Sequence, residues 1–253
     1  MRITYLYHDC FLIELEKCCI ITDYFSQVTV NPLSLFPRDK PCYVLVSHHH
    51  KDHFSRDIYS WARQFPLIRF IISKDVYRAS KYLFNPTSSY SGHNRVDRDK
   101  INILIPGEIY QDALISVEAF GSTDTGNCYV IESEGKRIYF AGDNNAWTWR
   151  EESTPAEVKD MLNRYNLILN DISKQFETFD LAFIPLDPRM GKDATEGIEL
   201  FCERFSVNYL IPMHFELWED EANKKIFHEV VSHSQFPTTQ YLPLIRPLQS
   251  VEI

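Results

Sequence analysis

Glycine is scarce here, at 8 of 253 residues, and its few copies never gather into a Gly/Ser-rich linker. Nothing in the composition therefore cuts the chain in two. No apolar run approaches the ~18 residues a membrane span needs. The first residues lack the long apolar core and small-residue cleavage site of a secretory signal. Six cysteines (Cys10, Cys18, Cys19, Cys42, Cys128, Cys202) include no C-x-x-C pair, and a bond between the adjacent Cys18 and Cys19 would be strained. With no export signal they read as free thiols in a reducing compartment, and the chain as cytoplasmic. Neither a G-x-S-x-G elbow nor a G-x-x-x-x-G-K-[ST] loop occurs, which removes two common catalytic signatures. Positive charge is also short: 26 Lys+Arg against 35 Asp+Glu give a formal −9, which disfavours broad binding of nucleic acid or anionic membranes.

What remains is globular in character. Hydrophobic residues make up 44% and charged residues 24% of the chain, which excludes disorder and fibrous repeats. The length suits one large domain, read as spanning 1–253. Short runs rich in Ile, Val and aromatics predict strands at 3–7, 11–15, 19–22, 43–46, 69–72, 101–105, 113–120, 128–132 and 137–141, and later at 181–185 and 209–212. Helical periodicity appears at 57–64, 74–83, 155–168 and 195–205, with a last helix near 218–232. Ser153-Thr154-Pro155 reads as a helix start, with proline in the first turn. A strand-rich front followed by βαβα predicts an α/β fold of mixed sheets covered by helices on their outer faces.

The local anomaly is histidine: nine in all, four of them between residues 48 and 53. Val44-Leu45-Val46-Ser47 has a buried-strand pattern, and His48-His49-His50-Lys51-Asp52-His53 follows at once. H-x-H-x-D-H places four metal-capable side chains on one turn, because residues two apart in extended chain point the same way. Imidazole and carboxylate suit Zn, Fe or Mn; His49 and Lys51 alternate away from that face. Two further strands end in candidates, 137–141 in Gly142-Asp143 and 209–213 in His214. Alone, Gly-Asp is a common turn and one histidine a common structural residue. Three apolar strands ending this way would bring the side chains to one sheet edge, where ligands bind in α/β folds.

These motifs, together with Ile3-Thr4-Tyr5-Leu6-Tyr7-His8 and Ile20-Ile21-Thr22-Asp23, resemble the metallo-β-lactamase superfamily, in its lactonase-like general metallo-hydrolase branch. The likeness runs from residue 1 to about 215. It implies a four-layer αβ/βα sandwich with a dinuclear site at the edge between two sheets. His48 and His50 would bind the first metal, Asp52 and His53 the second; Asp143 would bridge them and His214 complete the second set. His8 and Asp23 would lie near the site as support. The resemblance implies one or two divalent cations, zinc first, with manganese or iron as alternatives.

One position departs from that pattern. The usual third histidine of the first site is absent from Gly121-Ser122-Thr123-Asp124-Thr125-Gly126. Asp124 either replaces it or caps a turn. Asn145, Trp147 and Trp149 follow the Gly-Asp turn and either wall a substrate pocket or pack in the core. Arg189, in Asp187-Pro188-Arg189, is read as a structural ion pair before an anion contact. His93, in Ser91-Gly92-His93-Asn94, could reach the cleft from a loop but reads first as a surface histidine, and His228 and His233 have no ligand spacing.

The implied function is hydrolysis of a small-molecule ester, lactone or phosphoester by a metal-bound hydroxide, with Asp52 and Asp143 as catalytic residues. The rival is a non-hydrolytic metal-binding protein, a sensor or cofactor-handling partner with an incomplete first site; a superfamily nuclease is disfavoured by the acidic charge. Expected partners are a small-molecule substrate, neither nucleic acid nor membrane, with a homo-oligomer left open.

Overall fold

The structure is a computed structural model, and it describes residues 1–85, 88, 92, 94–215 and 238–253. Apolar residues alternate between two destinations along the front strands, so both faces of the sheet they form are covered. These strands are β1 (Arg2–Tyr7), β2 (Cys10–Glu14), β3 (Cys19–Thr22), β4 (Cys42–Val46), β5 (Ile68–Ser73) and β6 (Ile101–Leu104). Ile13, Ile20, Tyr43 and Leu45 face one buried cluster, and Leu12, Ile21, Val44 and Val46 face the other. A second sheet takes β7 (Ile109–Gln111), β8 (Ser116–Phe120), β9 (Cys128–Ser133), β10 (Lys136–Phe140), β11 (Thr178–Pro185), β12 (Ser206–Met213) and β13 (Gln240–Tyr241). A last strand, β14 (Ser250–Glu252), returns to the first sheet beside β1.

The orders are β14-β1-β2-β3-β4-β5-β6 and β13-β12-β11-β10-β9-β8-β7. Each sheet is mixed. The first is antiparallel from β14 through β3 and parallel from β3 through β6. In the second, β7 through β10 run antiparallel and β10 through β13 parallel. The sheets meet face to face, with the rings of Phe11 and Phe183 4.7 Å apart across the interface. Outside the second sheet lie α2 (Pro155–Ser173) and α3 (Glu196–Arg204), which bury Tyr165, Leu169, Ile198 and Phe201. Outside the first lie α1 (Lys74–Ser80) and a 3-10 segment, Arg56–Arg63, which buries Ile58, Tyr59 and Trp61. The result is the helix–sheet–sheet–helix sandwich that the resemblance implied.

Several predicted elements change at their ends. The segment expected as a helix at 57–64 is 3-10, since eight residues with one apolar face satisfy either winding. The helix at 74–83 breaks into α1 and a 3-10 turn, Lys81–Leu83. The strand expected from 113 starts at Ser116, because the Asp112 carboxylate accepts from the N–H groups of Leu114 and Ile115 and holds them in a turn. At α2 the start is as read: Thr154 and Glu157 form a reciprocal capping box before Pro155, and the helix runs on to Ser173. All six cysteines are buried and free. No helix among the described residues is long and apolar enough to cross a membrane. The helix expected near 218–232, with His228 and His233, and also His93, lie outside the described residues.

Candidate metal centre

Three strand ends converge at one edge of the sandwich. After β4 the chain turns on itself, the N–H groups of His53 and Phe54 both donating to the carbonyl of His50. Behind the turn sits Asp23, just past β3 and fully buried. Its carboxylate accepts from the Ser47 N–H at 2.7 Å, from the Ser47 hydroxyl at 2.5 Å and from Nδ1 of His53 at 2.9 Å. A carboxylate on Nδ1 keeps a proton there and turns Nε2 of His53 toward the cleft, the nitrogen that a cation would take in place of its proton. Gly142 and Asp143 follow β10, and His214 follows β12.

Asp143 is the point where the three loops meet. Its Oδ2 lies 3.4 Å from Nε2 of His48, and its Oδ1 lies 3.2 Å from Nε2 of His53 and 3.3 Å from Nε2 of His214. Two adjacent sets of donors result. His48, His50, Asp124 and Asp143 form one, and His8, Asp52, His53 and His214 the other, with the donor atoms of each set within 4.8 Å of one another. Asp124, open in the sequence, stands among the donors: its Oδ2 is 3.3 Å from Nδ1 of His50 and 3.8 Å from Nε2 of His48. His49 turns outward to Asp75, as alternation predicts. His8, expected only as support, reaches the second set. The only trace of this in the sequence is a His-Asp pair between two apolar strands, where a two-residue hairpin would ordinarily use Asn or Gly.

The donors fit a divalent cation. Nε2 of His53 and Oδ1 of Asp143 are buried without a hydrogen bond, although buried polar atoms are nearly always satisfied. Burial, with His53 beside it, lowers the pKa of His48 to about 4, so its imidazole is neutral and its lone pair available. Burial opposes protonation of His53 too, but Asp143 and Asp23 outweigh it and raise its pKa to about 9. Burial would also push Asp143 up; His53 and His214 win and hold its carboxyl well below the usual range. The centre thus keeps an ionised carboxylate at its middle. Behind His214, Oδ2 of Asp187 faces Nδ1 at 3.3 Å and also pairs with Arg189 at 2.5 Å, and Arg189 reaches the cavity lining as well.

Residues 2–162 match the beta-lactamase superfamily domain, well over half of the chain. The chain belongs to the beta-lactamase superfamily. It is 28% identical over 228 residues to a UPF0173 metal-dependent hydrolase of Methanosarcina barkeri, which covers 87% of this chain and 85% of that one. Among solved structures it resembles Igni18, a metallo hydrolase from Ignicoccus hospitalis, with a TM-score of 0.62 at 15% identity over 100% of this chain and 98% of that one. It also resembles CmlA, a diiron beta-hydroxylase from Streptomyces venezuelae, with a TM-score of 0.64 at 11% identity, covering 100% of this chain and 54% of that one. These likenesses show the fold.

On this superfamily scaffold the loop after Asp143 builds a cavity of about 540 Å³ whose lining includes His50, Asp52, Asp143, Trp147, Trp149 and His214. Nε1 of Trp147 donates to the Asp143 carbonyl at 2.8 Å, and the two indoles lie nearly parallel, 6.4 Å apart. Asn145, expected at the pocket, does not line it. The side chain is 1% exposed and points at Gly197, where an added Cβ would lie 1.6 Å from Asn145 Oδ1.

Arg150 pins this loop. Its N–H and Nη1 donate to the two oxygens of Asp193 at 2.7 and 2.8 Å, and its guanidinium also grips Glu196. Burial would raise the Asp193 pKa, but these bonds outweigh it and lower it. A depressed carboxylate stabilises the fold above its unfolded pKa of about 3.9 and loses that contribution as pH falls through the folded value. Asp193→Asn is therefore expected to be less stable than wild type at pH 7, with the gap narrowing below about pH 4. Urea melts at the two pH values read this directly; an unchanged gap would refute it.

Proposed function

We propose that the chain is a metal-dependent hydrolase in which His48, His50, Asp124 and Asp143 hold one divalent cation and Asp52, His53, His214 and the shared Asp143 hold a second. The observation that carries this reading is the Asp143 carboxylate, which directs one oxygen to each donor set. The chain's likeness to the metal-dependent hydrolase of Methanosarcina barkeri supports it. Bound divalent cations supply Lewis acidity and make water acidic enough to attack near neutral pH. The chain supplies position. Asp143 fixes the spacing of the two sets, and Asp23 orients His53. Asp52, half-exposed with Oδ2 3.9 Å from Nε2 of His53, offers that oxygen to the second set.

The cavity volume is that of a small-molecule pocket. Flat apolar walls from Trp147 and Trp149 suit an acyl or aromatic portion of an ester, lactone or phosphoester. The imidazole-rich donors favour zinc, while the carboxylates in the first set also suit manganese or iron. The test is turnover of lactone, carboxyl ester and phosphodiester panels by chelator-stripped protein, before and after adding each metal. Hydrolysis of at least one class should vanish on stripping and return with metal. Metal-replete protein inert on every class would overturn the proposal. Asp23→Asn, which keeps shape but removes the charge behind His53, should loosen the bound metal by about 10–100-fold, read by chelator competition.

A further inference from the structure

The turn between β1 and β2 carries His8 and Asp9, and the function proposed above leaves both unused. His8 is 2% exposed and sits at φ +54, a left-handed conformation that residues other than glycine rarely adopt. The turn is held from several sides. The His8 N–H donates to the Tyr5 hydroxyl at 2.8 Å, and the Thr22 hydroxyl donates to the Asp9 carbonyl at 2.7 Å. The His8 ring lies 4.5 Å from that of His214 and 5.2 Å from that of His53. Its Nε2 is 3.8 Å from Oδ2 of Asp52 and has no hydrogen-bond partner. Both Asp9 oxygens are also buried without hydrogen bonds, one of them 3.7 Å from Nδ1 of His53 and the other 4.0 Å from Nε2 of His8. A structural core histidine satisfies its nitrogens; a third imidazole crowded against two others with its nitrogen unused is arranged as a ligand.

We infer that His8 is itself a ligand of the second cation, so that His8, Asp52, His53 and His214 hold it together with the shared Asp143. The inference rests on the proposed metal chemistry and deepens it. The imidazole missing near residue 124 would be offset from another strand turn, into the other position. Counting Asp143 for both, the second position then has three imidazoles and two carboxylates, the first two imidazoles and two carboxylates. Nitrogen-rich sets favour zinc over harder ions. The His8 position is thus the tight zinc site, and the Asp124 position the one that empties first.

The test uses the full chain, stripped and titrated with Zn²⁺ against a chromophoric chelator. Wild type should bind two ions of unequal affinity. His8→Asn, chosen because asparagine tolerates φ near +54, should weaken the tighter one by more than the 10–100-fold that loss of an outer partner costs. The weaker ion should be unchanged. Asp124→Asn should do the reverse. Metal-free melts of each variant separate ligand loss from a packing defect, which would lower stability without zinc. Where His8→Asn does not fold, long-range ¹H–¹⁵N spectra of histidine-labelled wild type give the same answer: a His8 ring nitrogen should move to its metal-bound position at one equivalent of Zn²⁺. Two ions held by His8→Asn as tightly as by wild type, or an unmoved His8 nitrogen, would overturn the inference and leave the hydrolase reading standing. Wild type that takes up no zinc would overturn both.

Discussion

Asp143→Asn is expected to lower hydrolysis by about 10³-fold and to abolish tight binding of at least one of the two cations. Asparagine has nearly the same shape, so the β10 turn should persist. It has one oxygen where aspartate has two, and here each oxygen serves a different partner: Oδ2 faces His48, while Oδ1 faces His53 and His214. The amide nitrogen must therefore point a donor at one of the two sets. Loss of the charge also removes what holds His53 and His214 protonated against burial in the metal-free protein, so both imidazoles should titrate lower. Turnover, metal content and circular dichroism on one preparation check the prediction. A variant with normal turnover and two bound ions would remove Asp143 from the centre.

The second large effect is expected far from any charge. Gly126 stands at φ +72 where the loop before β9 crosses the end of β4, and an added Cβ would lie 2.1 Å from the Ser47 carbonyl oxygen and 2.6 Å from Cβ of His48. The nearest obstacle is backbone, so no rotamer change relieves it. Gly126→Ala should cost about 3 kcal/mol or more, combining left-handed strain with overpacking. Any relaxation must move Ser47 or His48, so the first cation should be lost as well. The control is Gly135→Ala, at φ +74 with nothing within 4 Å of the added carbon. Strain alone should cost it about 1–2 kcal/mol, with metal binding intact. Equal losses of stability from the two substitutions would show that the crossing at Ser47 is not tight.

Much of this was legible in the chain, for reasons that also mark where reading stops. His48, His50, Asp52 and His53 could be seen because one turn holds all four, so no long-range pairing had to be guessed. Asp143 and His214 were visible because each ends an apolar strand, and ends of parallel strands fall on one edge. Asp124 could not be settled, since a carboxylate that ligates and one that shapes a turn look alike; here the Ser122 hydroxyl caps the turn by accepting from the Asp124 N–H, and the Asp124 carboxylate faces His50. The buried His8 was set aside as support because only the β1–β2 pairing shows how far its ring reaches. Asn145 was misplaced because a loop has no period to say which side chain turns inward. β7, β13 and β14, of two or three residues each, are too short to carry alternation. Strand order was equally out of reach, since it depends on pairings between residues far apart in sequence.

The most direct test is a crystal structure of zinc-loaded protein with anomalous data collected on both sides of the zinc edge. Two anomalous peaks are expected, one within bonding distance of His48, His50 and Asp124, the other of Asp52, His53 and His214, with an Asp143 oxygen on each. A cleft without a peak beside Asp143, or metal bound only at residues outside these loops, would contradict a shared dinuclear centre and with it the hydrolase chemistry proposed for this chain.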